Sequence, residues 1–147
     1  MKERIHATCV ALRIGRRWCG VLLRGPSGAG KSDLALRLIE TGGRLVSDDQ
    51  TDLVRKRDTI LAAAPNRIAG LIEARGVGIL ALGRDQMVAR APVVLLVDLA
   101  SPERIERLPE PRRESLLGVQ LPLLALAPFE GSATAKLRLA LRGIAVA

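Results

Sequence analysis

The chain has 147 residues, 48% of them hydrophobic and 26% charged, with a formal net charge of +8; that is one domain, long enough to bury a real core. Trp18 and Phe129 are its only large aromatics, so the core is aliphatic and the base-stacking surfaces of single-stranded nucleic-acid binders are excluded. The basic residues come in scattered groups (Arg16-Arg17, Arg55-Lys56-Arg57, Arg112-Arg113) rather than a tail, so nucleic acid is not the expected main partner.

The first elements form a β-hairpin over residues 4–24, with arms Ile5–Ile14 and Arg17–Arg24 and a turn at Gly15-Arg16. A two-residue loop sets Cys9 opposite Leu22 and Cys19 opposite Leu12, so the two thiols do not face each other. Continued to the hairpin's open end, the same register sets His6, the only histidine, opposite Gly25. Two cysteines make neither a disulfide framework nor a metal site.

The apolar run Gly20–Leu23 leads into Gly25-Pro26-Ser27-Gly28-Ala29-Gly30-Lys31-Ser32. This octet fits G-x-x-x-x-G-K-[ST], the loop that wraps its backbone around nucleotide phosphates. Glycines permit the turn and the close backbone approach; Lys31 is placed to reach the outer phosphates and Ser32 to ligate Mg2+. Leu34, Leu36, Leu38 and Ile39 make a short buried helix over about residues 31–41, stopped by Gly42-Gly43. An intracellular ATP site fits the absence of a membrane-span-length apolar stretch and of a signal-peptide pattern at Met1–His6, so the expected compartment is the cytoplasm.

A short strand, Arg44–Ser47, delivers Asp48-Asp49. A phosphate loop needs a second acidic site for Mg2+ and, in kinases, a base for the accepting hydroxyl. Alternation along a strand points the two aspartates to opposite faces and splits these duties between them. Thr51–Val54 and Thr59–Ala62 read as a second hairpin around Arg57-Asp58, and Pro65-Asn66 breaks the chain. Residues 68–72 form a turn or short helix before Glu73-Ala74-Arg75-Gly76-Val77-Gly78-Ile79. Val93–Val97 is the strongest strand, apolar enough to be buried on both faces. Residues 101–114, with Pro102, Pro109 and Pro111, form an exposed connection. Leu121–Ala127 makes a last strand, and Leu137, Leu141 and Ile144 mark an amphipathic helix. Arg107, Arg112 and Arg113 are candidates to stabilise charge in phosphoryl transfer. The whole reads as one α/β domain, residues 1–147, with a mixed sheet, β-hairpins and flanking helices.

Together, Ile5-His6-Ala7-Thr8, the phosphate loop, Leu45-Val46-Ser47-Asp48-Asp49 and Ile72–Ile79 resemble the catalytic domain of the HPr kinase/phosphorylase family. The last segment is similar to that family's signature Leu-Glu-Ile-Arg-Gly-Leu-Gly-Ile. The resemblance implies a P-loop fold of the phosphoenolpyruvate carboxykinase-like type. It implies an ATP- and Mg2+-dependent kinase for a serine of HPr, the phosphocarrier of the sugar phosphotransferase system, assembled as a homohexamer. By matching motifs it assigns phosphate binding to Lys31 and Mg2+ to Ser32 and Glu73, with Asp49 as base and Asp48 in support. His6 matches an upstream active-site histidine, and Glu106-Arg107-Leu108-Pro109 loosely resembles the segment bearing a catalytic arginine. The family's long form carries an extra N-terminal domain, so this chain resembles the short form of some proteobacteria. The family's Pro-Gly-Arg-Asn loop, linked to phosphate removal from HPr, aligns with Ala127–Ser132, where the arginine is lost. The phosphorylase direction is therefore expected to be weak or absent. A small-molecule kinase or NTPase, or a nucleotide-gated binding module, are the alternative readings of the same loop.

Overall fold

The computed structural model describes residues 1–146. Eleven strands and two helices follow one another in an α/β arrangement: β1 (Lys2–His6), β2 (Thr8–Ile14), β3 (Arg17–Arg24), α1 (Lys31–Glu40), β4 (Arg44–Ser47), β5 (Gln50–Lys56), β6 (Thr59–Ala63), β7 (Leu71–Ala74), β8 (Gly78–Ala81), β9 (Arg90–Leu99), β10 (Arg112–Leu116), β11 (Val119–Leu126) and α2 (Ala133–Val146). Nine strands form one curled mixed sheet, and β7 and β8 pair separately as a hairpin. No helix is long and apolar enough to cross a membrane among the described residues.

β2 and β3 form the first hairpin in the expected register, with Cys9 opposite Leu22 and Leu12 opposite Cys19. Both thiols are free and buried. The long first arm does not persist, however. The chain breaks at Ala7, and β1 crosses to pair antiparallel with β5, setting His6 opposite Gln50 rather than Gly25. Ala7 is fully buried, and the Thr51 hydroxyl donates to its carbonyl at 2.8 Å, which secures the crossing.

β2 is buried on both faces. Val10 and Leu12 pack with Leu34 and Leu38 of α1 and Leu137 and Leu141 of α2, whereas Cys9 and Ala11 join Leu53, Ile60 and Leu96 inside the curl. Alternation along a strand thus feeds two cores from one segment. β3, β9 and β11 run parallel, so their carboxyl ends open on one side of the sheet. Where β3 meets β9 the backbones close up at Gly20: a Cβ there would lie 2.7 Å from the Pro92 carbonyl oxygen.

The connection over 101–114 is exposed almost throughout, as expected, but it is not all irregular. One turn of 3-10 helix spans Pro102–Arg104, and Arg112–Leu116 is strand β10, paired with β11. β10 is held because Arg24, at the end of β3, bonds both Asp98 and Glu114. The single helical turn before β7 lies at Asn66–Ile68, earlier than expected.

Candidate active site

The loop Gly25–Ser32 joins the end of β3 to the first residue of α1. Gly28 and Gly30 take φ values of +83° and +102°, which side chains rarely tolerate. The Ala29 amide donates to the Pro26 carbonyl at 3.0 Å and closes the turn. Lys31 is only 6% exposed, and its ammonium donates to the carbonyls of Gly25 (2.6 Å) and Pro26 (2.9 Å). An ammonium has three protons to donate, so one remains for an incoming acceptor.

β4 ends at Ser47, and the side chains of the two aspartates that follow point apart as expected, though by a different cause. They do not alternate along a strand. Asp48 sits in a bend and Asp49 takes a left-handed φ of +68°, which swings its side chain outward. Asp48 is 6% exposed, and its Oδ1 accepts from Ser32 Oγ (2.7 Å) and Thr8 Oγ1 (3.0 Å). Its Oδ2 accepts the Glu73 amide at 3.0 Å. Thr8 also accepts the Asp49 amide at 3.0 Å, so one buried hydroxyl orders both aspartates. Four segments distant in sequence (β2, the phosphate loop, the β4 end and β7) therefore meet on one carboxylate.

Asp49 lies in the open, and its Oδ1 is 2.8 Å from His6 Nε2. His6 thus reaches the site through Asp49, from β1, and not by facing Gly25 across the hairpin. A cavity of about 300 Å³ opens there, lined by Gly28, Gly30, Lys31, Ser32, Asp49, Glu73 and Arg75, among others, at the small end of the range for ligand sites. Arg107 is exposed and does not line it. Arg75 and Phe129 do. Arg75 was legible as part of the Ile72–Ile79 motif, and Phe129 only as part of the late loop Ala127–Ser132, with nothing there to say that its ring meets the phosphate loop.

The donor set suits Mg2+ in kind: this ion takes one or two carboxylates, a hydroxyl, waters and substrate phosphates rather than a protein cage. Ser32, Asp48 and Glu73 supply a hydroxyl and two carboxylates around the loop, and no group of three or more His, Cys, Asp or Glu able to hold a metal alone occurs among the described residues. The buried Asp48 carboxylate, with three donors on its oxygens, retains room for one more contact.

The phosphate loop is thus bonded through its serine to an acidic strand end. The model of the HPr Serine kinase C-terminal domain matches residues 1–139. The chain belongs to this family. It is 41% identical over 110 residues to an HPr kinase/phosphorylase of Acidovorax sp. (strain JS42), covering 68% of this chain and 35% of that protein. It is 36% identical over 116 residues to that of Geobacillus thermodenitrificans (strain NG80-2), covering 73% of this chain and 38% of the relative. The chain thus spans little more than a third of the length of these curated relatives. The solved structure of the Hpr(Ser) kinase/phosphatase from Coxiella burnetii superposes with a TM-score of 0.79 at 28% identity, covering 98% of this chain and 95% of that one. The family assignment agrees with the α/β fold observed here.

Proposed function

We propose that this chain is an ATP- and Mg2+-dependent kinase that phosphorylates a serine of HPr or an HPr-like phosphocarrier in the cytoplasm. The observation that carries this reading is the Asp49 carboxylate, held by His6 at the mouth of the cavity that contains Lys31 and Ser32. The backbone of Gly25–Ser32 cradles the phosphates, and Lys31 donates its remaining proton to them. Ser32, Asp48 and Glu73 would hold Mg2+, which when bound neutralises phosphate charge.

The acceptor serine approaches Asp49, whose carboxylate takes the hydroxyl proton as the oxygen bonds to the γ-phosphorus and ADP leaves. His6 orients that carboxylate, and its ring nitrogen keeps Oδ1 aimed from the β1 side. Arg75, on the cavity wall, is better placed than Arg107 to offset charge that develops on the transferring group. The phosphorylase direction is weak in this reading: Glu130 and the exposed Phe129 stand in the late loop, and Lys136 is engaged with Glu130 at 3.2 Å. Assembly as a homo-oligomer, a hexamer by family resemblance, belongs to the same proposal.

The test is incubation with γ-labelled ATP, Mg2+ and HPr-type proteins, followed by phosphoamino-acid analysis. Label on serine that disappears with Asp49→Asn is the expected result. ATP binding without transfer to any such protein would favour a nucleotide-gated module, and transfer to metabolites alone a small-molecule kinase. Pyrophosphate released from phospho-HPr and phosphate would overturn the weak phosphorylase.

A further inference from the structure

The carboxyl ends of the parallel strands β3, β9 and β11 carry, side by side, the phosphate loop, residues 99–104 and residues 127–130. In open α/β sheets ligands lie in the crevice outside such strand ends. A second cavity of about 620 Å³ sits there, next to the phosphate cavity. Pro26, Ala29, Leu99, Ala100, Pro128 and Phe129 contribute apolar walls, while Ser101, Glu103 and Arg104 lie at its exposed edge.

Phe129 borders both cavities. It is the chain's only phenylalanine, and it is 68% exposed although the residues before it, Ala127 and Pro128, are buried. Its ring lies over the phosphate loop: a Cβ on Gly30 would come within 2.8 Å of Phe129 Cζ. The segment that carries the ring is anchored, since Arg37 of α1 donates to the Pro128 carbonyl. A fixed, bare aromatic face beside a phosphate site is suited to a flat, apolar-faced ligand that covers it.

We propose that this cavity takes the base of the bound nucleotide, with Phe129 as its stacking platform, an inference that rests on the nucleotide reading above. The polar side chains that line this cavity, Ser101, Glu103, Arg104 and Glu130, are none of them buried, and the buried ones (Thr8, Lys31, Ser47, Asp48 and Thr51 among the described residues) do not line it. The base is therefore held by its π-face rather than read along its edge, and the site accepts adenine and guanine alike. Stacking on an aromatic ring is tolerant of base identity for the same reason.

Calorimetric titration with ATP, GTP and inorganic tripolyphosphate tests this. The wild-type chain binds ATP and GTP within about three-fold of each other, and both more tightly than tripolyphosphate. Phe129→Ala weakens both nucleotides by about five-fold or more and leaves tripolyphosphate unchanged, while Phe129→Trp retains them. Ser101→Trp, which fills the cavity from its edge, weakens nucleotides only. In Phe129→Trp, ATP but not tripolyphosphate quenches the new indole; Trp18, at the opposite end of β3, supplies a constant background. Unchanged nucleotide binding in Phe129→Ala, or equal losses for ATP and tripolyphosphate, would overturn the platform and leave the phosphate site standing. A wild-type chain that binds none of the three would overturn the nucleotide reading itself and the platform with it.

Discussion

The Ser32 hydroxyl donates to Asp48 Oδ1 across 2.7 Å, tying the last residue of the phosphate loop to the end of β4. Because the Thr8 hydroxyl and the Glu73 amide donate to the same carboxylate, the loop, the first hairpin and the β7–β8 hairpin share one buried hub. The neighbouring Asp49, turned outward by its positive φ, is exposed and meets His6 instead. A buried structural tie and an exposed carboxylate are thus divided between adjacent aspartates.

That division is measurable by stability alone. Asp48→Ala strands three donors, one of them the fully buried Thr8, and is expected to destabilise the fold by about 3 kcal/mol. Asp49→Asn removes an exposed partner of His6 and should cost only about 0.5 kcal/mol. Urea unfolding of the two variants checks the contrast, and similar losses would show that Asp48 is not the hub.

Arg138 of α2 closes the carboxyl end of α1. Its guanidinium donates to the Leu38 and Thr41 carbonyls at 3.1 Å each and to Thr41 Oγ1 at 2.7 Å. The last carbonyls of a helix have no intrahelical partner, so this side chain does the work of a cap. Arg138→Ala should lower stability by about 1–2 kcal/mol in denaturant melts. Arg142→Ala, an exposed neighbour on the same helix, should change it little.

Acid should loosen β10. The Glu114 carboxyl is held below its usual range, first by its hydrogen bond with Arg24 and then by the charges of Arg24 and Arg112, against the opposing effect of burial. A carboxyl depressed on folding contributes stability that is fully present above its unfolded value, about 4.5, and is lost as pH falls through its folded value. The stability contribution of this group is therefore flat near neutrality and falls below about pH 4.5. Glu114→Gln should flatten that acid limb in thermal melts recorded from pH 7 to pH 3, and an unaltered limb would remove Glu114 as its source.

The thiols should be inert in the folded protein. Burial pushes Cys9 up to about 12, and burial also raises Cys19 despite the opposing charge of Arg17. Since the thiolate is the reactive form, a maleimide at pH 7.5 should label neither within minutes, and both after unfolding. Fast labelling of Cys9 in the native state would show that the sheet opens around β2.

The sequence by itself determined the local chemistry: the phosphate loop, its flanking strand and helix, the register of the β2–β3 hairpin and the helical face of Leu137 and Leu141. These are written in patterns a few residues long, where turn chemistry, glycine freedom and hydrophobic period decide the outcome. The tertiary structure alone decided that the chain crosses at Ala7, so that His6 meets Asp49 from β1, and that Asp48 is buried while Asp49 is not. It also decided that Arg75 rather than Arg107 lines the phosphate cavity, that residues 112–116 become a strand, and that Phe129 lies over Gly30. Apart from the local β10–β11 hairpin, these depend on how a curled sheet brings together segments distant in sequence, through hydrogen bonds and packing that no short window of sequence contains.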